Sequence, residues 1–121
     1  MPLAVTIADD SMLSRKNVRK ALPPDWAACV TEACNGQEAL AAVAAGQADV
    51  LFLDLTMPVL DGFAVLQQLQ QQHSRCVVIV ISADIQPKAR ALVHQLGAAA
   101  FIAKPLQAPS LLQTLGELEL L

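Results

Sequence analysis

The chain has 121 residues, 55% of them hydrophobic and 16% charged, and its formal net charge is −3. This length suits a single domain with a buried core, and so apolar a composition excludes a disordered tail. The longest apolar run, Cys76–Ile81, is far below the roughly 18 residues of a membrane span, and the first three residues begin no signal peptide. We therefore expect one domain over residues 1–121, in the cytoplasm and without membrane contact.

The charge balance argues against direct binding of nucleic acid, which needs a basic patch. Basic residues do gather between Arg15 and Lys20, and we interpret them as the exposed side of one helix. The three cysteines, Cys29, Cys34 and Cys76, match no zinc or CxxC pattern. We expect them to be reduced, with Cys29 and Cys76 as small side chains of the core.

Apolar runs and helical periodicity predict five strands that alternate with five helices. In chain order, these are a strand at 3–8, a helix at 12–22, a strand at 27–33, a helix at 37–45, a strand at 50–53, a helix from about 63, a strand at 76–81, a helix at 86–96, a strand at 98–103 and a helix from about 109. Ser11 is a candidate cap of the first helix. The apolar face of that helix is expected to contain Met12, Leu13, Val18, Ala21 and Leu22. Trp26, before the second strand, is expected at the edge of the core.

The predicted strands are apolar on both faces, whereas a strand with one solvated face would alternate between apolar and polar residues. This pattern favours a parallel sheet that is covered by helices on both sides. Short connections and right-handed crossovers then give a doubly wound, three-layer (βα)5 domain of the α/β class, similar to flavodoxin. We expect no second domain within these residues.

Polar residues directly follow four of the apolar strands. Asp9-Asp10 follows the first strand, Asp54 the third, Ser82 the fourth and Lys104 the fifth. Any one of them could be a helix cap or a loop residue, but the carboxyl ends of parallel strands meet at one edge of the sheet, where ligands bind. Three carboxylates at one edge repel each other and favour a hard cation such as Mg²⁺. A carboxylate can also attack phosphorus to form an aspartyl-phosphate, with a lysine and a hydroxyl to take up charge.

Four short segments stand at these strand ends in a definite order. They are Ala8-Asp9-Asp10-Ser11, Asp54-Leu55-Thr56-Met57-Pro58 with Asp61-Gly62, Ser82-Ala83, and Ala103-Lys104-Pro105. Together they resemble the receiver domains of two-component response regulators, of the CheY-like kind. Each segment is a weak signal alone, but all four in this order are specific, and the resemblance covers essentially the whole chain.

The resemblance implies a metal site and a phosphoacceptor. Asp54 would accept the phosphoryl group. Asp10 would bind Mg²⁺ directly, and Asp9 would help to position the ion. Thr56 would offer its backbone carbonyl to the metal, beside the Asp54 carboxylate.

The resemblance also implies three residues that respond to the phosphoryl group. Ser82 would form a hydrogen bond to it, and Lys104 would pair with one of its oxygens. Phe101 would be the switch aromatic, which follows Ser82 inward. The Lys104-Pro105 peptide bond is expected to be cis.

The implied partners are a sensor histidine kinase and a downstream target. The target is a separate protein or an attached output domain beyond residue 121, and it would read the face formed by helix four, strand five and helix five. Residues 84–87 and 22–26 also resemble receivers that are joined to a CheC-like phosphatase module, a much less specific likeness. We expect no direct contact with nucleic acid.

Three other classes of protein fit less well. A haloacid-dehalogenase-type phosphatase needs an acid two residues after its nucleophile, where this chain has Thr56, and its nucleophile follows the first strand. A flavodoxin-like carrier would hold FMN phosphate after the first strand, where Asp9-Asp10 would repel it. A pseudo-receiver, which binds partners without being phosphorylated, usually lacks one of the residues at the sheet edge. It remains the alternative, although this chain keeps all of them.

Overall fold

The computed structural model describes residues 3–121, over which five strands alternate with five helices. The strands are β1 (Leu3–Ala8), β2 (Ala27–Ala33), β3 (Val50–Leu53), β4 (Val77–Ser82) and β5 (Ala100–Ala103). The helices are α1 (Met12–Ala21), α2 (Gly36–Ala44), α3 (Gly62–Gln71), α4 (Pro87–Gln95) and α5 (Ala108–Glu117). The strands form one parallel sheet in the order β2-β1-β3-β4-β5. The predicted α/β fold is therefore confirmed.

Helices cover both faces of the sheet, and successive residues of a strand point to opposite faces. Neighbouring residues of one strand therefore pack against different helices. In β3, Leu51 and Leu53 pack in one core cluster with residues of α2, α3 and α4. Val50 and Phe52 pack in the other cluster with residues of α1 and α5. All four β3 residues are buried, which is why this strand is apolar throughout instead of alternating.

The strand order creates a crevice at the carboxyl edge of the sheet. β1 and β3 are neighbours near the middle, and the chain leaves β1 towards β2 but leaves β3 towards β4. The two loops therefore diverge, and such a switch point is where open α/β sheets bind ligands. Among residues 3–121, no helix is both long and apolar enough to cross a membrane.

The prediction of which α1 residues face the core was partly wrong. Val18 is buried as expected, but Met12 and Leu13 are 74% and 67% exposed. Met12 and Leu13 begin the helix and lie off its buried stripe, which consists of Arg15 and Val18. Arg15 is buried on that stripe, so it does not lie on the solvated side of the helix as we expected.

The prediction that Cys29 is a core residue was also wrong. Cys29 is exposed because it lies on β2, an edge strand whose second and third residues face solvent. Cys34 is exposed as well, and Cys76 is half-buried. Burial raises the pKa of the Cys76 thiol to about 11. All three side chains are free thiols.

The end of α4 explains why β5 begins two residues later than predicted. Gly97 has a φ of +99°, which ends the helix in a left-handed residue. The amide of Ala98 then donates to the carbonyl of Val93, at 2.9 Å, so that Ala98 belongs to the helix cap. The strand can start only after this cap.

Trp26 lies at the edge of the core, as predicted. Its ring packs near Phe52, with the ring centroids 6.3 Å apart. Its indole N–H donates to the carbonyl of Leu120 at 2.7 Å, which ties the segment after α5 to the start of β2. As the one tryptophan of the chain, it is a natural fluorescence probe of unfolding.

Candidate functional site

The carboxyl edge of the sheet brings the three predicted aspartates together. One carboxylate oxygen each of Asp9, Asp10 and Asp54 lies within 4.8 Å of the others. Asp9 and Asp54 are buried, with 4% and 7% exposure, whereas Asp10 faces solvent. The cluster is therefore a pocket with two walls of buried carboxylate and one accessible side.

Lys104 lies in the same pocket, immediately after β5. Its ammonium Nζ is 2.8 Å from Asp9 Oδ2 and 3.7 Å from Asp54 Oδ1. It also lies 3.4 Å from the hydroxyl of Ser14 on α1. One cation thus faces at least two carboxylates, and the pocket keeps an excess of negative charge.

Backbone hydrogen bonds fix both buried aspartates to the sheet. The amide of Asp54 donates to Ala8 at 3.0 Å, and the amide of Asp9 donates to Ala33, also at 3.0 Å. The side chains accept from nearby amides as well: Asp9 Oδ1 from Ser11, and Asp54 Oδ1 from Leu55, both at 2.9 Å. The strand ends therefore hold these carboxylates in place before any ligand arrives.

Burial raises the pKa of the Asp54 carboxyl above its ordinary value, and the charge of Asp9 raises it further. The charge of Lys104 and the amides of Leu55 and Thr56 oppose the shift without cancelling it. The ionised form of Asp54 is thus held at a cost in free energy. A cation in the pocket would remove part of this cost.

Ser82 ends β4 beside the pocket and is buried. Its backbone carbonyl accepts from the amide of Lys104 at 2.9 Å, which couples the ends of β4 and β5. Its hydroxyl oxygen accepts from the amide of Asp84 at 3.1 Å. The hydroxyl is therefore held within its own turn in this conformation.

Phe101 does not belong to the acidic pocket. It lies on β5, half-buried against the core cluster that contains α4. The guanidinium carbon of Arg90, on α4, lies 4.6 Å from the centre of its ring, a cation–π contact. The peptide bond between Lys104 and Pro105 is cis, as predicted.

Thr56 lies in the loop after β3 and is exposed, while the flanking Leu55 and Met57 are buried. The buried neighbours anchor the loop and leave the backbone of Thr56 at the pocket rim. Its part in binding a metal stays a prediction.

The sequence model of the response regulator receiver domain matches residues 5–116. The chain belongs to this family. Among curated relatives, the DNA-binding transcriptional regulator NtrC of Salmonella typhimurium is 37% identical over 101 residues, which make up 84% of this chain and 21% of that protein. The sensory/regulatory protein RpfC of Xanthomonas campestris is 35% identical over 121 residues, covering 96% of this chain and 16% of that protein.

Solved structures agree with this assignment. The CheY of Borrelia burgdorferi, in a complex with CheX, BeF3 and Mg²⁺, has a TM-score of 0.90 and 28% identity, covering 98% of this chain and 90% of that one. The receiver domain of the response regulator NarL from Mycobacterium tuberculosis has a TM-score of 0.87 and 29% identity, covering 97% of this chain and 95% of that one. The chain spans less than a third of the length of the curated relatives named above.

Two charged contacts of this receiver domain were not predicted from the sequence. Arg15 lies behind the acidic pocket and forms an ion pair with Glu32 of β2 at 2.8 Å. Arg90 lies over Phe101. For Arg15, the signal in the sequence is its position three residues before Val18, which puts both residues on one helix face. Its charge led us to place it on the exposed side of the helix instead.

Replacing Lys104 with Gln is expected to lower the free energy of unfolding of the receiver at pH 7 by about 1–3 kcal/mol, because the buried Asp9 carboxylate would lose its charged partner. Urea unfolding followed by Trp26 fluorescence would measure the change. Lys88→Gln, at an exposed position of α4, is the matched control and should change stability by less than about 0.5 kcal/mol. Equal stability of the two variants would show that the pair with Asp9 contributes nothing.

Proposed function

We propose that this receiver domain is a phosphoacceptor that takes a phosphoryl group from a histidine kinase onto Asp54. The observation that carries the proposal is the pocket itself, in which a buried carboxylate lies beside two further carboxylates and one ammonium group. Such an arrangement is costly for a purely structural site, because like charges repel. Phosphoryl transfer uses a nucleophile, a cation site and a lysine together.

We propose that Asp9, Asp10, Asp54 and the backbone carbonyl of Thr56 hold Mg²⁺. The donor set fits this ion, because all the groups are hard oxygens and the exposed Asp10 leaves room for water. When bound, Mg²⁺ supplies positive charge to the phosphoryl oxygens. The Borrelia CheY structure, which carries Mg²⁺ and BeF3, supports this proposal by similarity.

The transfer step uses three side chains at the carboxyl edge of the sheet. A carboxylate oxygen of Asp54 attacks phosphorus, and the bond from phosphorus to the donor histidine nitrogen breaks. The electron pair of that bond stays on the imidazole, which is released in neutral form once protonated. Lys104, already 3.7 Å from Asp54, pairs with a phosphoryl oxygen, and the Ser82 hydroxyl exchanges its bond from Asp84 for one to the phosphoryl group.

The output of the proposed reaction is a change of surface. When Ser82 moves inward, Phe101 follows, and the face formed by α4, β5 and α5 changes for a partner. This is a shift between two populated states, biased by the new charge. The partner is a separate protein or an attached output domain, and we propose that the receiver works in the cytoplasm, where free thiols such as Cys29 and Cys34 stay reduced.

Asp54→Asn is expected to abolish phosphorylation, because an amide oxygen is too weak a nucleophile. The test is to incubate the wild type and the variant with Mg²⁺ and acetyl phosphate and to record intact masses. The wild type should gain one phosphoryl group, and EDTA added before the donor should prevent it. Asp25→Asn is the matched control and should be phosphorylated normally, since Asp25 precedes β2 at the opposite edge of the sheet.

Absence of an adduct on the wild type, together with no response to beryllofluoride and Mg²⁺, would overturn the proposal. The chain would then act as a pseudo-receiver that binds partners without phosphorylation. An adduct on Asp54→Asn as strong as on the wild type would move the acceptor to another residue.

A further inference from the structure

A guanidinium group is buried directly behind the acidic pocket. Arg15 is 9% exposed, which is rare for an arginine. Its Nη1 donates to the backbone carbonyl of Asp9 at 2.7 Å, in a buried hydrogen bond. Its Nε donates to the Glu32 carboxylate at 2.8 Å. Arg15 has no role in the reaction proposed above.

The carbonyl that Arg15 binds belongs to the peptide group between Asp9 and Asp10. The orientation of that peptide plane, together with the φ angle of Asp10, sets the direction in which the Asp10 side chain leaves the backbone. The Asp9 carboxylate has other anchors, namely the Ser11 amide and Lys104. Over residues 3–121, no amide or side chain donates a hydrogen bond to the Asp10 carboxylate. The direction of Asp10 therefore depends on its backbone, and Arg15 fixes that backbone on one side.

The charge of Arg15 does not by itself favour a bound cation. A cation placed near a cation site weakens binding of the ion by Coulomb repulsion. The Glu32 carboxylate pairs with Arg15 at 2.8 Å, which limits this repulsion and holds the guanidinium in one orientation. Arg19 donates to the same carboxylate, also at 2.8 Å. What Arg15 contributes is thus a fixed hydrogen bond to the ligand-bearing peptide.

We propose that Arg15 is a positioning residue, which clamps the peptide between Asp9 and Asp10 and so aims the Asp10 carboxylate at a divalent cation. This inference rests on the metal site proposed above. Hydrogen bonds that orient metal ligands typically change metal affinity by about 10–100-fold when they are removed.

The test measures cation binding by the full chain without phosphorylation. Mn²⁺ serves as the probe, because only the free ion gives a sharp six-line electron paramagnetic resonance signal. Arg15→Met should weaken Mn²⁺ binding by about tenfold. Repulsion between cations alone predicts the opposite sign, since the variant lacks a positive charge near the site. Binding as tight as in the wild type, or tighter, would overturn the inference.

Arg19→Gln is the matched control. It removes the outer hydrogen bond to Glu32, but Arg19 makes its described hydrogen bond to Glu32 and not to Asp9, so Mn²⁺ affinity should stay within about twofold of wild type. If Arg15→Met fails to fold, Arg15→Lys answers the same question, because the ammonium group lacks the rigid planar fork with which Nε and Nη1 of Arg15 reach Glu32 and the Asp9 carbonyl. Its Mn²⁺ affinity should also fall, and unchanged affinity would again overturn the inference.

A second measurement separates positioning from general damage. With acetyl phosphate as donor, the Mg²⁺ concentration for half-maximal phosphorylation of the Arg15 variant should rise about tenfold, while the rate at saturating Mg²⁺ stays within about twofold of wild type. A lower rate at saturation would indicate a disturbed acceptor and contradict a role through Asp10 alone. If the wild-type protein binds no Mn²⁺, both the proposed metal site and this inference are wrong. If the wild type and Arg15→Met bind Mn²⁺ equally well, only the inference about Arg15 is wrong.

Discussion

Replacing Gly62 with Ala is expected to lower the free energy of unfolding by about 3 kcal/mol, at the upper end of the cost of overpacking. Gly62 is the first residue of α3, and it is buried against the end of β3. A methyl group there would overlap the Asp54 carbonyl oxygen and come within 2.8 Å of the Leu55 Cα. Both obstacles are backbone, which cannot rotate away as a side chain can.

The same substitution should disturb the acceptor. The amide of Gly62 donates to the carbonyl of Leu55 at 3.0 Å, so α3 and the loop after Asp54 are in direct contact. To admit a methyl group, either α3 or the backbone of Asp54 must move. Phosphorylation by acetyl phosphate should therefore slow by more than tenfold even at a temperature where the variant is folded, as measured by intact mass over time.

Gly116→Ala is the matched control, because it lies in α5 and a methyl group there meets nothing closer than 4.0 Å. Alanine stabilises a helix relative to glycine by roughly 0.5–1 kcal/mol, so this variant should be slightly more stable than the wild type. Urea unfolding followed by Trp26 fluorescence compares both variants. A Gly62→Ala protein within 1 kcal/mol of the wild type would show that α3 can separate from the β3 loop at little cost.

Sequence patterns predicted the fold well because burial on both faces leaves a simple signature. The four residues of β3 are apolar without exception, and a strand of a covered parallel sheet has no reason to alternate. The polar residues at the strand ends were equally informative, since a parallel sheet places the carboxyl ends of all its strands at one edge. Because β4 lies between β3 and β5, the contacts of Lys104 with Asp9 and Asp54 also depend on the length of the lysine side chain.

Contacts that depend on how far an element extends past its neighbour were not predictable. Met12 carries an apolar side chain, yet it is exposed in the first turn of α1. Arg15 is charged, yet it is buried because a carbonyl and a carboxylate lie within its reach. The need for glycine at position 62 also depends on a close approach between two segments. Periodicity reports which face of a helix is apolar, and it does not report such distances.

Adding Mg²⁺ is expected to stabilise the wild type and to reverse its order of stability with Asp54→Asn. Without a divalent cation at pH 7, the variant should be the more stable protein, because burial and the charge of Asp9 disfavour the ionised Asp54 carboxyl. At an Mg²⁺ concentration 100 times its dissociation constant, the wild type should gain about 2.7 kcal/mol. The variant, which lacks one carboxylate ligand, should gain less at the same concentration.

Urea unfolding with and without Mg²⁺, at constant ionic strength kept with KCl, measures both effects. Asp25→Asn, which removes an exposed carboxylate far from the pocket, should gain as much from Mg²⁺ as the wild type does. Equal Mg²⁺ stabilisation of the wild type and Asp54→Asn would exclude Asp54 as a ligand. If KCl stabilises the wild type as much as Mg²⁺ does, Mg²⁺ acts by screening charge and not by binding in the pocket.

The pH dependence of these differences follows from the sign of the shift at Asp54. The pKa of Asp54 in the folded state lies above the ordinary value of 3.8. The protonated carboxyl therefore favours folding fully at pH values below 3.8, and this contribution to stability is lost as the pH rises through the folded-state pKa. The advantage of Asp54→Asn in the absence of metal should therefore be largest at neutral pH and shrink towards pH 4. Stabilisation by Mg²⁺ should shrink over the same range, since protons compete with the cation for Asp54. An advantage of the variant that grew on acidification would contradict the raised pKa and, with it, the charge repulsion that makes this pocket a site for a cation.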